Sequence, residues 1–200
     1  MLQGTLLANC KRRGIIMAES KNITTPLSDS VVKGLRAGDT VSITGVIYTG
    51  RDAAHKRLIE LIEEGKKLPF EIEGQVMYYV GPAPAKPGYA CGSAGPTTSY
   101  RMDPYTPQLL DLGLKGMIGK GLRSKGVIES MKKNGAVYFA AIGGVAAIIA
   151  KSIKRSEVVA YEDLGPEAIH KYYVEDFPAV VCIDQYGNNL YESEPPKYRR

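Results

Sequence analysis

The sequence is poor in the residues that build a self-contained metal site. It holds three cysteines, Cys10, Cys91 and Cys182, at wide spacing and without a Cys-x-x-Cys pair. That excludes an ordinary zinc site within the chain. Three thiolates are enough in number for an iron–sulfur cluster. However, Cys10 lies in an N-terminal stretch that reads as an extension. Cys182 lies in the apolar run Ala179-Val180-Val181-Cys182-Ile183, where a small buried hydrophobe is the better reading. No metal ligand is therefore expected from this chain. Apolar runs long enough to cross a bilayer, about 20 residues, are also lacking. The longest, Ala136 to Ala150, is broken by Gly143-Gly144. Leu6-Leu7-Ala8 precedes Lys11-Arg12-Arg13, the reverse of the order in a signal peptide. The expectation is a cytoplasmic chain with no membrane contact. There is no Walker loop, no Gly-x-Gly-x-x-Gly, no nucleophile elbow and no His-Glu-x-x-His, which removes the reaction classes those motifs serve.

The net charge of +5 suits an anionic ligand and, at this level, nucleic acid equally. The basic residues are scattered in short clusters such as Lys132-Lys133, with no zinc-finger or RNA-recognition pattern among them. Nucleic acid is not expected as a partner. Composition is ordinary for a globular protein, with 44% hydrophobic and 24% charged residues. Two hundred residues fit one large domain, or one domain with an extension. Residues 1–24 read as a lead-in, 25–192 as the main domain and 193–200 as a loose tail. Met17 is a second candidate start.

One stretch organises the rest: Gly92-Ser93-Ala94-Gly95-Pro96-Thr97-Thr98-Ser99-Tyr100-Arg101-Met102-Asp103. Before Arg101 it is too rich in Gly and Pro for a regular helix or central strand. Glycine lets backbone N–H groups approach an anion, and Arg101 adds a planar fork suited to a carboxylate. An ordinary Gly/Ser/Thr surface loop has the same local composition.

Periodicity outlines the remainder. Residues 17–40 read as irregular, with Val31 to Leu35 a short strand or turn. Thr40 to Tyr48 alternates and is β-branched, which predicts a strand. It runs into Arg51, an Asp52 N-cap and a helix from Ala53 to about Glu64. Arg51 thus stands at a strand-to-helix junction, where side chains commonly enter a ligand crevice; a surface arginine is the alternative. His55 lies one turn into the helix, near Arg51; a solvated or core-edge histidine is the alternative. Glu71 to Val80 predicts a strand, followed by about 20 residues of Pro-rich loop; loops that long are usually functional or disordered. Asp103-Pro104 predicts a helix start, with the helix running to Leu112. Met117 to Gly121 predicts a strand that ends in the glycine-flanked Lys120. Helix 122–133, strand 137–142, helix 145–153 and strand 157–161 follow. A short helix over 166–175 carries Tyr172-Tyr173, and a final hairpin turns at Tyr186-Gly187-Asn188. Strands alternating with helices predict an α/β fold with a mixed sheet and flanking helices.

Arg51, Arg101 and Lys120 stand at element ends, as a small dicarboxylate would need. Thr97, Thr98 and Ser99 supply hydroxyls. The chain looks like half of an active site. Thr49-Gly50-Arg51-Asp52-Ala53-Ala54-His55, Ser93-Ala94-Gly95-Pro96-Thr97-Thr98 with Arg101-Met102-Asp103, and Gly116 through Gly121 together resemble the β subunit of iron–sulfur-dependent class I fumarases. The same module is the C-terminal domain of the single-chain enzymes and the β subunit of L-tartrate dehydratases. The resemblance covers about residues 25–192. It implies a swivelling β/β/α fold and reversible hydration of fumarate to L-malate. It also implies a [4Fe–4S] cluster held by the partner α subunit. By matched motif, Arg51, Arg101 and Lys120 would grip substrate carboxylates. Thr97 would be the base at C3 or a substrate-positioning hydroxyl. His55, Thr98 and Asp52 would support them. The separate ends of the chain suggest an independent subunit in an αβ heterodimer, dimerised further to α2β2. L-Tartrate as substrate, or dicarboxylate capture without catalysis, remain open.

Overall fold

The computed structural model describes residues 20–141 and 146–199. Cys10, Met17 and the Gly143-Gly144 break lie outside the described residues. Strands β1 (Lys21–Thr25), β2 (Thr40–Thr49), β3 (Val76–Tyr78), β4 (Gly116–Gly119) and β5 (Val137–Ala140) pair side by side and all run parallel. β6 (Ile153–Ala160) and β7 (Ile169–Ile183) follow. β7 runs antiparallel to β5, to β6 and, across the sheet, to β2. Through β7 the sheet closes on itself, leaving β1 and β6 as flanking strands. Closure protects the central strands from edge pairing.

Alternation along the strands divides the core in two. Val76, Tyr78, Ile118, Val137, Phe139, Tyr172 and Val174 pack together in one buried cluster, lined up from facing strands. Their neighbours Met77, Tyr79, Met117 and Tyr138 point the other way. There they pack on Ala54 and Leu58 of α2 (Asp52–Glu63), Leu109 and Leu110 of α3 (Thr106–Asp111), and Val127 and Met131 of α4 (Lys125–Asn134). The period-2 pattern of a strand thus fills the interior with one set of side chains and seats the helices with the other.

Several local expectations change. Residues 17–40 are not irregular where they are described: Lys21–Thr25 is β1, and Asp29–Gly34 is a helix, α1, capped by the Ser28 hydroxyl. The strand at Glu71–Val80 is regular only over Val76–Tyr78. The segment 166–175 is not a helix. Its C-terminal part opens the long strand β7. Inward residues there are Tyr172 and Val174, then Phe177, Ala179 and Val181. The step of three falls at Asp176, whose φ is +51°, beside a register shift opposite Ile43 and Gly45. A bulge has inserted one residue there. The final hairpin reduces to a single bridge, Ile183 to Asn189, before a short helix α6, Leu190–Ser193. The tail forms one helical turn, α7, Pro195–Tyr198. α5 (Ala146–Ser152) agrees with expectation. No helix among the described residues is long and apolar enough to cross a membrane.

Candidate active site

Because β2, β3 and β4 run parallel, their carboxyl ends lie together, and ligand sites in parallel sheets form beyond such ends. Arg51 follows β2, Gly81 follows β3 and Lys120 follows β4. The organising loop returns to the same place. Pro96 bridges to Val80, the Thr97 N–H donates to the Tyr79 carbonyl at 2.7 Å, and Thr98 pairs with Lys120. Thr97 and Thr98 are thereby inserted between the ends of β3 and β4, and neither is fully buried.

Lys120 is exposed, but its backbone is fixed. Ser99 N–H donates to the Lys120 carbonyl at 2.9 Å, and Lys120 N–H donates to Ser99 Oγ at 3.0 Å. The Tyr138 hydroxyl lies 2.9 Å from Ser99 Oγ and donates to the Gly121 carbonyl at 3.0 Å. The Gly121 N–H donates to the Tyr191 hydroxyl. A Cβ on Gly119 would collide with Ser99 Oγ. Glycine is required there so that the loop can lie on the strand end. Gly119→Ala is expected to unseat Ser99, costing about 1–3 kcal/mol as overpacking does. Thermal denaturation checks it, and an unchanged melting temperature would show that Ser99 does not seat the loop.

The two arginines meet at Asp52. Arg101, at the end of a 3₁₀ turn over Ser99–Met102, donates from Nη2 to Asp52 Oδ2 at 2.7 Å. Asp52 Oδ1 lies 3.9 Å from Arg51 Nε. Asp52 is not the N-cap expected of it. Arg51 occupies that position, Asp52 is the first helical residue, and its carboxylate serves the arginines instead. Arg51 Nη1 also pairs with Glu167 Oε1 at 3.1 Å. Arg51 Nε and Asp52 Oδ1 are buried without a hydrogen-bond partner. Lys120 is tied to this pair through the loop, by the Thr98 bridge on one side and the Arg101–Asp52 contact on the other.

His55 is neither solvated nor at the core edge; it is fully buried. Its Nδ1 and its backbone N–H both lie 2.8 Å from the Arg51 carbonyl. A carbonyl only accepts, so Nδ1 carries the proton and Nε2 is left without a partner. The ring meets Tyr79 edge-on at 5.3 Å. His55 supports the Arg51 backbone from beneath and does not reach the open face. Burial pushes its pKa down to about 4, with Arg123 adding to the shift against the opposing hydrogen bond to Arg51. The unfolded chain, with an ordinary histidine near 6.5, binds the proton first. Stability from neutral His55 is therefore complete above about pH 6.5 and lost as pH falls toward 4, at up to about 1.4 kcal/mol per pH unit. Burial also lowers the His170 pKa, which acts in the same direction. Urea denaturation between pH 4.5 and 7.5 should show the slope, and His55→Gln should flatten it. An equal slope in both proteins would assign it elsewhere.

Arg123 was not among the expected residues. It is buried and binds Asp103 Oδ1 through Nε at 2.6 Å and Thr106 Oγ1 through Nη2 at 2.8 Å. The other Asp103 oxygen accepts the Ser124 N–H at 2.6 Å, where α4 begins. Asp103 therefore does not open the following helix, which starts at Thr106. It ties the turn that carries Arg101 to the next helix. Two acidic side chains, Asp103 and Glu167, were likewise not among the expected site residues. Asp103 stands two residues after Arg101, and Glu167 has no local pattern that would have marked it.

The described cysteines do not converge. Cys91 belongs to the inner core cluster and Cys182 to the outer one, and burial raises the pKa of both thiols. Among the described residues no group of three or more His, Cys, Asp or Glu side chains is placed to hold a metal. These residues do not fit a cluster.

The geometry can be set beside known proteins. The family model described as Fumarase C-terminus matches residues 9–194. The chain belongs to the fumarase C-terminus family. It is 48% identical over 154 residues to "Fumarate hydratase class I, anaerobic" of Escherichia coli (strain K12), covering 76% of this chain and 28% of the relative. It is 39% identical over 172 residues to "Putative L(+)-tartrate dehydratase subunit beta" of Methanocaldococcus jannaschii, covering 83% of this chain and 88% of the relative. A third relative in the family, "Putative fumarate hydratase class I" of Geobacillus stearothermophilus, is 37% identical over 175 residues, covering 85% of this chain and 33% of the relative. The chain thus spans about a third or less of the fumarate hydratases it matches and most of the tartrate dehydratase subunit.

Proposed function

We propose that this chain is the β module of a hydro-lyase that interconverts fumarate and L-malate. The carrying observation is that Arg51 and Arg101 converge on one carboxylate, Asp52, beside the Thr97–Thr98 loop and Lys120. A carboxylate held there supports the reading that the two guanidiniums serve a single acidic group. In this reading Arg51, Arg101 and Lys120 bind the substrate carboxylates. Thr97 takes the proton from C3 of malate, or returns it in hydration. Charge then develops on the adjacent carboxylate, and fixed cations aimed at it stabilise the transition state more than the ground state. A threonine hydroxyl is a weak base in water and needs cationic neighbours to act. Thr98, through its pairing with Lys120, helps bring one to it.

The half-site must be completed from outside. Exposed Tyr100 and Leu122 flank Arg101 and Lys120 in sequence and line one groove with Pro104, as a face that meets another polypeptide would. In this reading the partner is an α subunit carrying a [4Fe–4S] cluster, which supplies a Lewis acid for the hydroxyl that leaves C2. The αβ unit dimerises to α2β2. The M. jannaschii relative's name favours a second reading, L-tartrate dehydration, in which the same side chains do the same work.

The test is an anaerobic assay of the chain assembled with a cluster-bearing partner, offering fumarate and L-tartrate in parallel, with the isolated chain as control. Fumarate turnover by the complex alone supports the first reading, and tartrate turnover alone the second. Activity without a partner overturns the shared site. A loaded complex inert to both leaves a dicarboxylate-binding module.

A further inference from the structure

Arg51 is held from outside the loop-and-strand site. The segment Glu162–Glu167 packs against α2 as a strap. Asp163 takes a bidentate contact from Arg57 of α2. At the other end, the Thr49 hydroxyl donates to the Ala168 carbonyl at 3.3 Å and accepts the His170 N–H at 2.9 Å. The strap is thus fastened to the helix and to the end of β2, and Glu167 stands between these anchors.

Glu167 meets only one end of the Arg51 guanidinium, with Oε1 3.1 Å from Nη1. Gly81 closes the same end. A Cβ placed there would lie 3.1 Å from Arg51 Nη1, 3.2 Å from its Cδ and 3.4 Å from the Pro166 carbonyl oxygen. Gly81, Pro166 and Glu167 therefore form a socket around Nη1 that any larger residue at 81 would fill. The Nε side of the guanidinium is in a different condition: Asp52 Oδ1 stands 3.9 Å away, beyond hydrogen-bond reach, and both atoms are buried without a partner. A buried donor left unpaired is costly, and a ligand carboxylate is the acceptor such an edge lacks.

We propose that Glu167 is a positioning residue for substrate capture: it anchors Arg51 by Nη1 in the Gly81–Pro166 socket, so that the opposite edge of the guanidinium is presented to the substrate's carboxylate. Glu167 does not touch substrate, and it is no competitor for it, because the nitrogen it holds is enclosed by the strap and Gly81. The substrate half of this inference rests on the hydro-lyase reading; the Arg51 half does not.

The test has two arms. In the assembled enzyme, Glu167→Ala should raise the KM for the dicarboxylate roughly tenfold, the scale of losing one partly buried ion pair, and lower kcat by a smaller factor. Glu167→Gln, which keeps an acceptor, should fall between. Because Glu167 acts through Arg51, the double variant Arg51→Ala/Glu167→Ala should be no worse than Arg51→Ala alone. In the isolated chain, the Arg51 Nε–H resonance in nitrogen-edited NMR should exchange slowly with water, and should broaden or shift in Glu167→Ala. A KM within twofold of wild type, a lower KM, or additive losses in the double variant would overturn the proposal. So would an Arg51 resonance indifferent to Glu167→Ala. If the wild-type complex turns over neither fumarate nor tartrate, the substrate-capture half falls with the hydro-lyase reading, and the resonance alone decides whether Glu167 holds Arg51.

Discussion

Thr97→Ala is expected to lower turnover by the assembled enzyme about 10²- to 10⁴-fold, the range for loss of a positioned acid–base group. Dicarboxylate binding should remain measurable. The structure makes this substitution a clean probe. Thr97 is held by its main chain, through the N–H donated to Tyr79 and the flanking bridges from Pro96 and Thr98, and alanine keeps all of these. Loss of activity would then report the hydroxyl and not the loop. Thr97→Ser restores a hydroxyl and should recover much of the rate. Steady-state kcat and KM separate the two roles considered for this residue. A fall in kcat with KM little changed marks proton transfer, whereas a rise in KM with kcat intact marks a hydroxyl that only positions substrate. Turnover within about threefold of wild type would remove Thr97 from the chemistry altogether, since general acid–base catalysis contributes far more than that.

The candidate site residues Arg51 and Lys120 could be placed from the sequence because they follow strand ends, and strand ends are marked by local signals. β2 alternates cleanly up to Thr49, so Arg51 could be placed at a strand-to-helix junction. The glycines around Lys120 announced a close backbone approach, and Ser99 is what approaches. Illegible features depend on partners far along the chain. Asp52 looks like a cap by position, yet its carboxylate is taken up by Arg101, which a distant loop delivers. His55 falls on the buried face of α2, but only the packing of Tyr79 against it shows that it is sealed from solvent. The start of β7 reads as a helix because the buried Ile169 and Tyr172 stand three residues apart, although they pack on opposite faces of the sheet. Strand order could not be read at all, since closure depends on which edges β7 pairs with.

Arg123→Met is expected to destabilise the chain strongly, by about 3–5 kcal/mol, because it breaks a buried ion pair from one side only. The Arg123 side chain has no exposure and that of Asp103 has 10%. Without the guanidinium, Asp103 keeps the Ser124 N–H but loses its counter-charge, and the Thr106 hydroxyl loses a donor. Urea denaturation of the isolated chain measures the cost. The double variant Arg123→Met/Asp103→Asn tells a stranded charge from lost packing. It removes both charges and keeps an acceptor for Ser124, so it should recover a large part of the loss. If the double variant is as unstable as the single one, the stabilisation comes instead from the packing of Arg123 against Tyr79 and Tyr138, over whose rings its guanidinium lies at 5.3 and 5.2 Å. The two explanations differ at the site as well. Asp103 ends the turn that carries Arg101, so a stranded Asp103 should also loosen Arg101 and raise KM in the assembled enzyme. Lost ring packing beneath the helices would lower stability while leaving Arg101 on Asp52.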